Sequence, residues 1–192
     1  NYAVINKNDE QFILAKDLVE KIIDEPYETA GEIKGKDLVG LEYEPLFEVQ
    51  SLKSNKSYKI YPADFVSTED GTGVVHTAVM YGEDDYRRGE KVGLPKHHTV
   101  DSEGKFTGDV PEFAGKFVKS AEKGIIDYLK NKNLLFKVEP YSHEYPFCWR
   151  CKTPLLYYAA DSWFVKTTAV KKQLISNNKK INWVPPYIKE GR

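Results

Sequence analysis

Residues 71–86 read Gly-Thr-Gly-Val-Val-His-Thr-Ala-Val-Met-Tyr-Gly-Glu-Asp-Asp-Tyr, and no other stretch constrains the chain as tightly. Gly71 and Gly73 allow close backbone approach or unusual dihedral angles. Val74 and Val75 suit a buried strand. Gly82 lets the chain turn, and Glu83, Asp84 and Asp85 then occupy a first helical turn, where negative charge is favoured by the helix dipole. The reading is strand, loop and helix N-terminus, with His76 at the strand end and Asp85 at the helix start facing one cleft. One of these groups can bind a cation or polarise water, and the other can donate to an oxygen. The competing reading is structural: acidic residues in a first turn usually cap, and a lone histidine usually packs.

The chain on either side reads as mixed α and β. Residues 2–5 and 11–14 form strands joined by a turn at Asn8-Asp9. An amphipathic helix over 15–23 stops at Pro26. Alternating apolar residues and glycines over 28–47 fit short strands and tight turns, as in a barrel or open sandwich. Residues 53–59 read as an exposed basic loop, and 58–61 and 63–66 as strand pieces leading to the central run. A helix over 84–92 ends at Gly93 and Pro95. Adjacent His97 and His98 point in different directions on any regular backbone, so they make a poor metal pair and read as loop residues. Residues 116–131 are the best helix, with Phe117, Ala121, Ile125, Tyr128 and Leu129 on one face. Gly124 costs that helix about 1 kcal/mol against alanine, which implies close packing there. Residues 134–138 read as a buried strand, 155–158 as a strand continued by 162–165, and 169–177 as a short basic helix. The composition changes after Pro140, dividing the chain into 1–140 and a connector at 141–192.

The formal charge is −1 over 192 residues, so there is no global basic signature for nucleic acid. No apolar run approaches a membrane span and the start is not a signal peptide, so the expectation is a cytoplasmic protein. The two cysteines, Cys148 and Cys151, stand as Cys-x-x-Cys. That spacing is half of a tetrahedral zinc site, a redox pair without the usual surrounding βαβ pattern, or an unligated pair. His143 is the nearest histidine. The chain begins with Asn1 and ends at Gly191-Arg192, and reads as a piece cut from something larger.

The run from Gly71 to Tyr86 resembles the editing-site signature of isoleucyl-tRNA synthetases, with Val79 where that family usually has proline. Residues 1–5, 145–165 and 181–192 resemble the family's flanking segments, so the resemblance covers nearly the whole chain. It implies an α+β domain with a β-barrel-like core and peripheral helices, which hydrolyses the ester joining valine to isoleucine tRNA. In that reading Asp85 pairs with the substrate α-ammonium. His76 contacts the terminal ribose or the carbonyl, or orders the attacking water. Gly71, Thr72, Gly73 and Thr77 border the substrate, although strand alternation would turn Thr77 away from His76. The implied partners are the 3′ end of aminoacylated tRNA and the rest of the synthetase, and ATP belongs to the parent enzyme. No cofactor is expected in these residues. Cys148 and Cys151 would be half of a structural zinc site, expected to be empty, whose matching pair lies upstream in the family. A threonine-rich segment of the family is likewise expected upstream of Asn1. The alternatives are an RNA-binding or structural insert without catalysis, and an editing domain of the valyl or leucyl relatives.

Overall fold

The computed structural model describes residues 1–140 and 142–191. Their contacts form two compact units, Asn1–Ala159 and Ala160–Arg192. The composition change at Pro140 falls inside the first unit.

The first unit begins with a hairpin of β1 (Tyr2–Lys7) and β2 (Glu10–Ala15), followed by α1 (Val19–Ile22) and β3 (Glu28–Ile33). Asn8 and Asp9 carry φ values of 51° and 62°. That pair of left-handed residues makes the tight turn whose twist matches the flanking strands. β1 is central and pairs antiparallel with both neighbours, in the order β2-β1-β3. Ala3, Ile5 and Leu14 of the sheet pack with Val19 and Ile23 into a small core, flanked by Phe12, Ile22 and Tyr27.

A second core lies further along the chain. After the short α2 (Gly35–Leu38) come α3 (Glu83–Val92) and α4 (Val118–Asn131). Ala121 of α4 is buried with Val49, Val110 and Phe113, and Ile125 and Tyr128 pack against them. The Phe47 and Tyr128 rings stack at 4.9 Å. A methyl group on Gly124 would lie 3.1 Å from the Phe113 ring, so the glycine costs helix propensity but admits this aromatic layer.

Three expectations are corrected. The sheet is open, with three strands whose edges do not meet, so these strands do not close a barrel. Segments 40–43 and 58–60 are joined by backbone hydrogen bonds at Gly40, Tyr43 and Ile60 and by the Glu42–Lys59 bridge, but this short pairing does not extend into a sheet strand. Val74 and Val75 are not a buried strand; they lie in irregular backbone and are 50% and 53% exposed. Residues 134–138 and 155–158 likewise form no regular strand. Each of these apolar runs lacks a neighbouring ladder, and a strand exists only where its N–H and C=O groups find one.

The second unit contains α5 (Thr167–Lys180) and the short α6 (Ile188–Gly191). The Trp183 indole donates to Asn178 Oδ1 at 3.1 Å, tying the segment after α5 to its last turn. Trp163 and Phe164 are almost fully exposed. No helix among the described residues is long and apolar enough to cross a membrane.

The Gly-Thr-Gly turn is held against the hairpin, and Gly73 is the tightest point. Its φ is +73°, and a Cβ there would sit 2.6 Å from the Ala15 Cβ. Gly73→Ala should therefore destabilise the chain by about 1–3 kcal/mol through backbone strain and overpacking. A urea-unfolding midpoint equal to that of the unsubstituted chain would contradict this packing.

Candidate functional site

The central run is anchored at both ends. The Ala15 amide donates to the Thr72 carbonyl at 2.8 Å, and the Tyr2 hydroxyl donates to the Gly73 carbonyl at 2.7 Å. These bonds fix the Gly-Thr-Gly turn onto the last residue of β2 and the first of β1. At the other end the Tyr81 hydroxyl oxygen accepts from the amides of Thr99 at 2.8 Å and Val100 at 2.9 Å. The Ala159 amide donates to the Met80 carbonyl at 2.9 Å. Residues 74–80 are thus strung between two fixed points as an irregular ribbon, and they border a cleft of about 1320 Å³.

Thr72, Gly73, His76 and Thr77 all line this cleft. Residues 74–80 form no regular strand, so strict alternation across a pleat, the ground for turning Thr77 away from His76, does not describe this ribbon. Gly71 and Asp85 are not among the lining residues. Asp85 is half-buried in the first turn of α3, beyond Tyr81, which does line the cleft. Its carboxylate folds back over Gly82, where a Cβ would meet Oδ2 at 2.7 Å. No hydrogen bond or ion pair satisfies it among the described residues, and no side chain caps the helix. The result is an unpaired carboxylate in the first turn of α3, near the cleft-lining Tyr81, where the helix N-terminus favours its negative charge.

Of the two histidines that read as loop residues, one is part of the site. His97 lines the cleft, and its Nε2 lies 3.1 Å from Asp109 Oδ2. Asp109 also accepts from the Thr107 hydroxyl at 2.8 Å and the Ser51 hydroxyl at 3.1 Å. These contacts, His97 first, then Thr107 and Ser51, hold the Asp109 carboxyl below its usual range. His98 stacks on Tyr158 with ring centroids 4.0 Å apart, and its Nδ1 is buried without a hydrogen-bond partner. The histidine pair does point in two directions, as its adjacency predicts. Nothing in the local sequence reveals that Asp109 would orient one ring.

Cys148 and Cys151 sit on a tight knuckle away from this cleft's lining. The Cys148 amide donates to the Thr153 carbonyl at 2.8 Å, and the Lys152 amide to the Cys148 carbonyl at 2.9 Å. The Thr153 hydroxyl and backbone, and then the Cys148 thiol, lower the Cys151 pKa to about 7. Two thiols supply half of a tetrahedral zinc shell, and no third His, Cys, Asp or Glu joins them among the described residues.

Comparison with known proteins places the whole chain. It is 47% identical over 192 residues to the isoleucine–tRNA ligase of Clostridium novyi, covering 100% of this chain and 18% of that protein. It is 46% identical over 208 residues to the isoleucine–tRNA ligase of Dehalococcoides mccartyi, covering 20% of it. With that of Picrophilus torridus it shares 43% over 192 residues. The chain therefore spans about a fifth of the length of the curated relatives it matches. No family model matches it.

Two outcomes follow from the local chemistry. The Asp109 carboxyl has a depressed folded-state pKa, so its contribution to stability is complete above its unfolded value of about 3.8 and is lost as pH falls through the lower folded value. The stability gap between the natural chain and Asp109→Asn should therefore be constant near neutrality and narrow in the acid range. A gap in urea midpoint that does not change with pH would contradict it. Thr153→Val should return the Cys151 thiol upward from about 7 towards 9.0, read as an upward shift in the pH midpoint of its alkylation rate by iodoacetamide.

Proposed function

The chain belongs, as a segment, to the isoleucine–tRNA ligase family, and from that premise we propose that it is the part that edits. The reaction is hydrolysis of the aminoacyl ester of valine wrongly attached to isoleucine tRNA. Water adds to the ester carbonyl, the tetrahedral intermediate collapses, and the ribose hydroxyl leaves with a proton. The observation that carries the reading is the cleft bordered by Thr72, Gly73, His76 and Thr77 beside an unpaired Asp85. The need for such a site is physical. A pocket shaped for isoleucine gains little by rejecting valine, which lacks only one methylene, so a second and smaller pocket must remove the error; this double-sieve argument was framed for this very enzyme family.

Asp85 is the group for the substrate α-ammonium. It is a carboxylate without an internal counter-charge, so a substrate ammonium reaching it gains a charge-assisted hydrogen bond and displaces no existing one. His76 is exposed and lines the cleft, suited to the terminal ribose, the carbonyl or the attacking water. The Thr72 carbonyl and Gly73 are fixed by the hairpin, so the wall they form is pre-positioned rather than ordered on binding. Tyrosines along the cleft, among them Tyr43, Tyr58 and Tyr61, offer faces on which a terminal base can stack. In the whole protein the partners are tRNA and the remainder of the synthetase, in the cytoplasm. Cys148 and Cys151 would supply two of the ligands of a structural zinc.

The test is deacylation of valine-charged and isoleucine-charged isoleucine tRNA by the whole ligase. Asp85→Ala should slow valine removal by roughly 30-fold or more, the equivalent of losing about 2–3 kcal/mol of charge-assisted bonding. Isoleucine activation should be unchanged. Deacylation within twofold of the natural enzyme would remove Asp85 from the role. His76→Ala should produce a smaller or substrate-dependent defect, and an unchanged rate and selectivity would exclude His76.

A further inference from the structure

The charge of the cleft does not follow that of the chain. Overall the chain carries −1, yet Lys36, Lys56, Lys59 and Arg88 line the cleft against the single carboxylate of Glu44. Two of these cations are already engaged. Lys59 pairs with Glu42 at 2.9 Å, and Lys56 donates to the Val92 carbonyl at 3.3 Å. Lys36 is exposed. Arg88 differs from all three. It is half-buried on α3, and no carboxylate pairs with it among the described residues. Its guanidinium carbon lies 5.9 Å from the Tyr61 ring centroid, and its Nε is buried without a hydrogen-bond partner. The neighbouring Arg87, by contrast, is exposed and paired with Glu83 at 2.5 Å.

A buried donor on a permanent cation is costly unless something accepts from it. A guanidinium beside an aromatic face, in a cleft with apolar walls, is the geometry that receives a phosphate in a planar, two-pronged contact. We propose that Arg88 binds the phosphodiester that precedes the terminal nucleoside of the RNA entering this cleft. The inference rests on the editing reading for the identity of the ligand. It adds a division of labour: Asp85 takes the amino-acid end by its cation, and Arg88 takes the nucleotide end by its anion. The two opposite charges, three residues apart on one helix, then set the direction in which the substrate lies.

The test uses the whole ligase and two non-hydrolysable ligands: valine joined by an amide to a terminal adenosine, and the same compound extended by one nucleotide through a 5′-phosphodiester. Affinities measured by calorimetry give the gain due to the phosphodiester, and comparing that gain between proteins cancels any binding away from Arg88. The natural enzyme should bind the extended ligand about tenfold more tightly, and Arg88→Gln should lose most of that gain. Arg88→Lys should keep part of it, and Arg87→Gln all of it. The gain should also weaken with added salt in the natural enzyme, as a phosphate contact requires, and be flat in Arg88→Gln. An equal gain in the natural enzyme and Arg88→Gln, or an equal loss in Arg87→Gln, would overturn the assignment. Hydrolysis of the corresponding esters is read separately. Ester hydrolysis with an Arg88-independent gain leaves the editing reading standing and removes this one. An Arg88-dependent gain without ester hydrolysis does the reverse.

Discussion

Two backbone carbonyls hold this structure's most informative stretch in place. The Thr72 carbonyl is taken by the Ala15 amide and the Gly73 carbonyl by the Tyr2 hydroxyl, so the turn that opens the central run is fastened to both strands of the first hairpin. Without that fastening, residues 74–80 would have no fixed origin, because they make no ladder of their own. An irregular ribbon can define a site only if both its ends are held. Tyr81, whose hydroxyl accepts two amides from residues 99 and 100, holds the other. The cleft between them is therefore a consequence of the hairpin core and of the 99–100 loop, and only indirectly of the residues that line it.

Two half-buried charged groups on α3 stand without an ion-pair partner among the described residues. Some carboxylates and cations pair at the surface, as Lys16 does with Glu32 and Lys96 with Glu90, where each pair contributes little. Asp85 and Arg88 lie three residues apart on α3 and form no ion pair with each other or with any other described residue, although Arg88 lies beside the Tyr61 ring. Leaving a half-buried charge unsatisfied costs stability, and such costs concentrate where a ligand is to supply the missing partner. Asp109 shows the opposite case. Three donors engage its carboxylate, which makes it a fixed support for His97.

Parts of the fold were legible because their causes are local. Asn8-Asp9 announces a hairpin, and both residues adopt the left-handed conformation that such a turn needs. α3 ends where Gly93 stands, at φ 81° with its amide on the Gly89 carbonyl. α4 follows its apolar spacing, and the penalty at Gly124 correctly indicates close packing against Phe113. The strands at 74–75, 134–138 and 155–158 were misread for a common reason. Apolar β-branched or aromatic composition describes what a strand would like to bury, while strand formation needs a partner backbone that only the whole fold supplies. The barrel-like closure failed on the same point, since β2 and β3 remain edges.

The sequence by itself was enough to match the isoleucine–tRNA ligase family and to nominate candidates: His76 and Asp85 in a glycine-rich run, and a Cys-x-x-Cys pair. Those are properties of residue identity and spacing over short distances. Tertiary structure alone decided which of these groups share a cleft. It put Thr77 and His76 on the lining of one cleft, left Asp85 outside that lining, and brought Asp109 to His97. It also left Arg88 without a counter-charge. Each of these depends on contacts between segments far apart in the chain or on the absence of a ladder, and neither is written in any local pattern of residues.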